Sequence, residues 1–430
     1  MTPQDLIPFL LLFPLLAIGV PIGFGLIITG MATFMLAGDT SLLSAVRFAL
    51  DAPHSYTLLA VPLCVLTAEF FVSGGLIELL FKGARSWTGH LPGGVGSATV
   101  GGTMVFAGIS GSSAADAAAF SRIGVEGMSG QGFRREFAAC AVASSSTLAI
   151  MIPPSIAMVI YGSITDTSIG ALWFAGVVPG VIFGLLHVAY VAWVARREGV
   201  GRDATPAPWS ERWGYTRQLA PILCVMVLIL GGLYTGSYTA TEVSAMSSLF
   251  AFLAAKFWYK TLSWDALPKV FTRTVGTTAS IFLIIIGAHV FGKALTATGF
   301  AARLVSVIQE TNPSATEFLL SVTAVLFVLG MFLEGISLNV MTTPLLFPIV
   351  QQLGIDPVQY GVFLIFNIEV ALISPPVGLH LFIASAATGV PLQKIYANIW
   401  PFIVLLLLGV LSLIFFPGYA TWLPNTMYGR

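Results

Sequence analysis

Two carboxylates interrupt apolar sequence beside residues that break helices. Asp116 closes the stretch Gly108-Ile109-Ser110-Gly111-Ser112-Ser113-Ala114-Ala115-Asp116, and Glu334 opens Glu334-Gly335-Ile336-Ser337-Leu338-Asn339. Each Gly-Ile-Ser is followed by a proline pair, Pro153-Pro154 after 45 residues and Pro375-Pro376 after 40. Ser144, Ser145, Ser146 and Thr147 precede the first pair. Asn367, Glu369 and Ser374 precede the second, and His380 follows it. Backbone broken inside a membrane must find partners for its freed carbonyls and amides. Freed carbonyls and hydroxyls, joined by a carboxylate, make a hard oxygen cage suited to sodium. Helix N-termini offer amides and a positive dipole to an anion. Serines and small residues also line ordinary helix contacts in membranes. The carboxylates favour ion binding, because a charge at membrane depth costs roughly 2.5–3.5 kcal/mol on insertion scales and usually has a task. Glu69 and Glu242 lie nearer the ends of their apolar runs and read as snorkelling or hydrogen-bonded groups.

The 430 residues are 57% hydrophobic and only 9% charged, against about 25% charged in soluble domains. The chain therefore reads as an integral membrane protein embedded in a lipid bilayer. Its zero net charge gives no reason to expect nucleic-acid binding. Cys64, Cys140 and Cys224 lie in apolar runs at no metal or disulfide spacing, and the five histidines form no HxxxH pair. Gly93-Gly94-Val95-Gly96 has no GxxxxGK after it and no strand before it, so it is not a nucleotide loop. ATP is not expected to drive the protein directly, and no cofactor is expected beyond coupling ions. The first apolar stretch has no basic n-region and reads as a membrane helix, not a cleaved signal.

The elements that must hold these residues follow from apolar run length. A spanning helix needs roughly 20 apolar residues, and a half-span about half that. Helices are expected at 6–19, 20–37, 56–73, 172–195, 217–235, 241–258, 274–297 and 398–417. The regions 95–127 and 316–351 read as re-entrant hairpins, and 134–164 and 358–388 as helices broken at the proline pairs. Segments 75–90 and 261–272 mix charges with apolar residues and read as interfacial helices. With both termini outside, 15 of the 19 basic residues fall on inner segments, as the positive-inside rule favours. This threading makes residues 1–195 and 217–430 an inverted-topology repeat joined by a cytoplasmic linker, 196–216. Paired breaks in two inverted halves are the pattern of a secondary transporter.

The same residues carry a family resemblance along nearly the whole chain. Phe106-Ala107-Gly108-Ile109-Ser110-Gly111-Ser112 with Asp116, Ile152-Pro153-Pro154-Ser155-Ile156 with Tyr161-Gly162, Gly330-Met331-Phe332-Leu333-Glu334, and Pro375-Pro376-Val377-Gly378-Leu379 occur in order. Together they resemble the large membrane subunit of tripartite ATP-independent periplasmic (TRAP) transporters. The resemblance implies sodium-driven import of an organic anion by an elevator-type transport domain, in a fold like that of the ion transporter superfamily. It also implies two partners: a small four-helix membrane subunit and a periplasmic substrate-binding protein. The location implied is the bacterial inner membrane. By position, Ser110 and Asp116 with Ser145, Ser146 and Thr147 would form one sodium site. Glu334 and Gly335 with Ser374 would form the other. Ser112, Ser113, Ser337, Asn339 and His380 are the substrate candidates. Relatives that bind acidic sugars carry an arginine in the stretch equivalent to 293–300, where this chain offers Lys293. His380 stands where asparagine is common, Ser374 where threonine is common, and Glu334-Gly335 where Asp-Pro is common.

Two other readings stand beside this one. A self-sufficient sodium/dicarboxylate symporter of related fold would work without partner subunits. An intramembrane enzyme would use Asp116 and Glu334 as a catalytic pair, although catalysis has no need of two-sided access.

Overall fold

The structure is a computed structural model, and it describes residues 7–36, 46–47, 49–50, 54–201 and 205–428. All regular elements among them are helical. The first half contains α1 (Ile7–Ala17), α2 (Ile22–Leu36), α3 (Ala60–Ser73), α4 (Leu76–Thr88), α5 (Gly94–Ser110), α6 (Ser113–Ser129), α7 (Arg135–Thr147), α8 (Ile156–Thr165) and α9 (Ile169–Glu198). The second contains α10 (Trp209–Tyr234), α11 (Ala240–Leu253), α12 (Leu267–Ala297), α13 (Phe300–Thr311), α14 (Ala315–Gly330), α15 (Gly335–Gln352), α16 (Pro357–Leu372), α17 (Leu379–Thr388), α18 (Leu392–Asn398), α19 (Trp400–Phe415) and α20 (Gly418–Tyr428).

Length separates these helices into two kinds. α9, α10 and α12 have 30, 26 and 31 residues and are apolar enough to cross a membrane, α12 as part of the helical stretch Trp264–Ala297, as is the stretch Tyr56–Ser73. At 1.5 Å per residue, α9 and α12 exceed the roughly 30 Å hydrocarbon core. α5 to α8 have only 17, 17, 13 and 10 residues. The 10 residues of α8 reach about 15 Å, half a crossing. A short helix inside a protein must have its end groups satisfied by neighbours, and the sequence supplies side-chain caps at most of these starts. Gly111 ends α5 in the left-handed conformation, and Ser112 caps α6 by accepting from the Ala115 amide. Ser155 caps α8, Glu334 caps α15 and Asp356 caps α16.

Helix ends fall at or beside the four expected breaks, although the second hairpin, expected to break near Glu334–Asn339, breaks before it, with Gly335–Asn339 inside a helix. Gly111-Ser112 joins α5 to α6, and residues 331–334 join α14 to α15. A 3-10 turn (Leu148–Met151) and the Pro153-Pro154 loop separate α7 from α8, and residues 373–378 separate α16 from α17. The pieces then pack crosswise. α8, from the first broken helix, packs on α15 of the second hairpin, whereas α17, from the second broken helix, packs on α6 and α7.

Some expectations change. The linker expected over 196–216 is mostly helix, because α9 runs to Glu198 and α10 begins at Trp209. Gly199, in the left-handed conformation, stops α9, and Pro208 precedes α10. The polar first turns of α10 are held by Trp87. Its indole donates to Thr216 Oγ1 at 3.0 Å, and Arg212 lies over the rings of Trp87 and Trp209. Linker residues 202–204 lie outside the described residues, as does the end of the helix expected over 20–37. The segment 261–272 is not a separate interfacial helix, since its last six residues begin α12 with Pro268 in the first turn. The segment 75–90 does form its own helix, α4. It buries Leu76, Leu80 and Phe81 while Lys82 pairs with Glu78 on the exposed face.

Candidate functional site

The site lies where the two hairpin turns approach each other. A cavity of about 130 Å³ is lined there by Ser110, Ser112, Ser113, Glu334, Gly335 and His380. Glu369 from α16, Glu69 from α3 and Thr277 from α12 add to its polar wall, while Val65, Ile156, Ile281 and Leu372 supply apolar surface.

In the first hairpin turn, Asp116 is fully buried on the first turn of α6. Ser110 donates its hydroxyl to Asp116 Oδ1, and the Ser112 amide donates to Ser110 Oγ at 3.3 Å. Asp116 Oδ2 is buried without a hydrogen-bond partner. An ionised carboxylate accepts at both oxygens, so Oδ2 has acceptor capacity that no donor of the described residues uses. Gly111 closes the turn. Its carbonyl accepts from the Ile156 amide at 3.3 Å, which ties the hairpin to the break between α7 and α8. That break is held in turn by the Trp173 indole, which donates to Ser155 O at 3.2 Å.

Ser145, Ser146 and Thr147 are buried at the end of α7 and do not line the cavity. Their hydroxyls donate to backbone carbonyls, Ser145 and Ser146 to Val142 O and Thr147 to Ser144 O. Each spends its proton within the helix and keeps oxygen lone pairs available.

The second hairpin turn is built differently. Glu334 is half-buried, and its carboxylate accepts from the Ile336 amide at 3.0 Å, the Ser337 amide at 2.7 Å and the Ser337 hydroxyl. It therefore works as the N-cap of α15, and most of its acceptor capacity is used. Ser337 is thereby directed at Glu334 and not into the cavity. Ser374 is buried and donates to Val370 O at 2.7 Å. Asn339 braces two elements: its amide donates to Ala157 O of α8 at 2.9 Å, and its Oδ1 accepts from Thr343 at 2.9 Å. Lys293 is exposed on α12, about three turns beyond the cavity-lining Ile281. The structure does not bring it to the cavity.

Glu369 carries more of the site than its sequence setting suggested. It is 1% exposed, and Oε1 accepts from Ser113 Oγ at 3.0 Å. A β-carbon placed on Gly335 would lie 4.0 Å from the same oxygen. One side chain thus touches the first hairpin turn and faces the second. Oε2 has no hydrogen-bond partner, and neither ring nitrogen of the fully buried His380 has one. The available signal was an acidic residue at membrane depth, six positions before Pro375. Its pairing with Ser113, 256 residues away, has no trace in local sequence.

Residues 9–419 match the family model described as tripartite ATP-independent periplasmic transporter, DctM component. The chain belongs to this family. It is 37% identical over 399 residues to the C4-dicarboxylate TRAP transporter large permease protein DctM of Pseudomonas aeruginosa, covering 93% of each chain. It is 31% identical over 415 residues to the sialic acid TRAP transporter large permease protein SiaM of Vibrio cholerae, covering 96% of this chain and 97% of that one. Among solved structures, the Alcanivorax borkumensis YdaH transporter matches with a TM-score of 0.61 and 13% identity, over 88% of each chain, a likeness of fold. The protein is thus a multi-pass TRAP large permease subunit, and the intramembrane-enzyme reading falls away because its relatives are permeases.

Proposed function

We propose that this permease imports an organic acid across the bacterial inner membrane together with sodium, as an elevator. The observation that carries the reading is Asp116, a fully buried carboxylate with one oxygen engaged by Ser110 and the other without a partner. Sodium is a cargo ion here, and Asp116 Oδ2 is the anionic ligand offered to it. Ser110 and the hydroxyl oxygens of Ser145, Ser146 and Thr147 are its neutral companions. Glu334, Gly335 and Ser374 form the second ion locus. There Glu334 already caps α15, so backbone carbonyls supply more of the coordination.

Ion binding at the first locus would fix the Ser110–Ser113 turn, and the turn would then present ordered hydroxyls and helix-start amides to a substrate carboxylate. The hairpins and broken helices move as one body, α5 to α8 with α14 to α17, while the long helices and a small four-helix subunit hold position. A periplasmic binding protein delivers the acid to the outer face. The two halves are inverted copies, and both termini are periplasmic. The crosswise packing of α8 on α15 and of α17 on α6 supports a single moving body.

The test uses the permease with its small subunit in vesicles, supplied with the binding protein and its ligand. An inward sodium gradient should drive uptake, and Asp116→Ala should abolish it while the protein still purifies as a folded monodisperse complex. Wild-type uptake by that variant, or uptake indifferent to sodium, would overturn the reading.

A further inference from the structure

The cavity between the hairpin turns has an unexpected charge for a site that receives an acid. Its walls carry three carboxylates, Glu69, Glu334 and Glu369, and no lysine or arginine. Glu334 is satisfied by its own helix. Glu69 has Arg273 beside it, 3.9 Å away. Glu369 has no cationic partner within ion-pairing distance among the described residues, and its Oε2 lacks even a hydrogen bond. His380 lines the same cavity, fully buried, with both ring nitrogens lacking partners. Buried polar atoms are normally satisfied, so an acceptor oxygen and an imidazole left open on one cavity mark groups built to be completed by a ligand.

The ligand's chemistry follows from theirs. An imidazole always offers at least one N–H donor, which suits a carboxylate. An ionised carboxylate only accepts; with Oε1 served by Ser113, an ionised Glu369 takes a donor at Oε2. A second carboxylate on the ligand would face Glu369 as a like charge, with no basic side chain in the cavity wall to offset it.

We propose that the cargo is a small monocarboxylate bearing a hydrogen-bond donor, an ammonium or a hydroxyl group, with His380 meeting the carboxylate and Glu369 the donor. This rests on the transport reading above and adds the substrate class. It sets the permease apart from relatives named for C4-dicarboxylates, despite 37% identity to one of them.

The test measures ligand binding to the purified permease with its small subunit in sodium, by thermal shift and by titration. Four acids of one carbon count are compared: butanoate, succinate, α-hydroxybutanoate and α-aminobutanoate. One or both of the donor-bearing acids should bind at least about tenfold more tightly than butanoate and succinate, since a site with open polar groups discriminates against analogues that leave them unpaired. Glu369→Gln should remove the preference for α-aminobutanoate. The wild-type ranking needs no variant, so it decides the matter even where Glu369→Gln folds poorly. Succinate or butanoate binding as tightly as the donor-bearing acids, or no response to any of the four, overturns the proposal. If sodium still stabilises the protein in that case, the ion-coupling reading survives. Loss of the sodium response in wild type would overturn that reading instead.

Discussion

Gly111 occupies a backbone position with φ of +62°, where a side chain is rarely accommodated. A β-carbon there would lie 2.6 Å from Pro154 O, closer than such atoms approach. The first constraint is the left-handed cap that ends α5; the second arises because the hairpin turn is pressed against the Pro153-Pro154 loop, with Gly111 O bonded to the Ile156 amide. Gly111→Ala should therefore cost about 1–2 kcal/mol for the left-handed conformation, and more for the contact. It should also displace Ser110, the partner of Asp116. The expected outcome is a lowered unfolding midpoint together with weaker stabilisation by sodium. An unchanged midpoint would mean that the turn is looser than its contacts imply. Asp116 and Glu334 make a related point: two acidic residues beside matching breaks have different occupations. One has an unsatisfied buried oxygen, and the other caps a helix. Both are acidic and lie beside a break, but Asp116 sits in the first turn past the Ser112 cap, whereas Glu334 is itself the cap.

Among elements, crosswise packing is the organising feature. Asn339 joins α15 to α8 through Ala157 O, across 182 residues of sequence. Interhelical hydrogen bonds in membranes are worth about 0.6 kcal/mol on average and up to about 1.7. Asn339→Leu keeps the approximate size and removes both bonds, so it should lower stability by an amount in that range. It should slow transport more than it weakens sodium binding, because the brace lies outside the ion locus. A variant as stable and as fast as wild type would show that apolar packing alone joins these helices. The breaks themselves were legible in the sequence, because glycine, proline and serine punctuate apolar runs for local reasons. The partners across the breaks were not, since nothing near Asn339 or Glu369 encodes contact with Ala157 or Ser113. The start of α10 was misjudged for a different reason. Polar residues at 209–217 resemble a linker, but a helix can leave the apolar layer and keep its hydrogen bonds while tryptophan and arginine hold its exposed turns. Lys293 is a candidate only through the resemblance, in the stretch where relatives that bind acidic sugars carry an arginine, and α12 carries it turns away from the cavity.

At the scale of the whole molecule, the positions of charges along the chain predict its orientation. The threading that puts both termini outside leaves Arg196 and Arg197 at the inner end of α9 and Asp166 before its outer end. α9 is the best test of that assignment, because its 30 residues make it long enough to cross alone. A single crossing by α9 would put its two ends on opposite faces of the membrane. Cys224 is the exposed native cysteine, whereas Cys64 and Cys140 are buried, so a Cys224→Ser background leaves few competing thiols. In that background, Asp166→Cys should react with a membrane-impermeant maleimide added to intact spheroplasts. Arg197→Cys should react only after the membrane is opened. The reverse pattern would turn the molecule over and put the first hairpin on the outer side. It would also place the cavity's access from each face opposite to the import scheme, even if Asp116 still bound sodium. Ion binding and orientation are thus separable: the first depends on a few buried oxygens, and the second on how basic residues are distributed between the ends of the long helices.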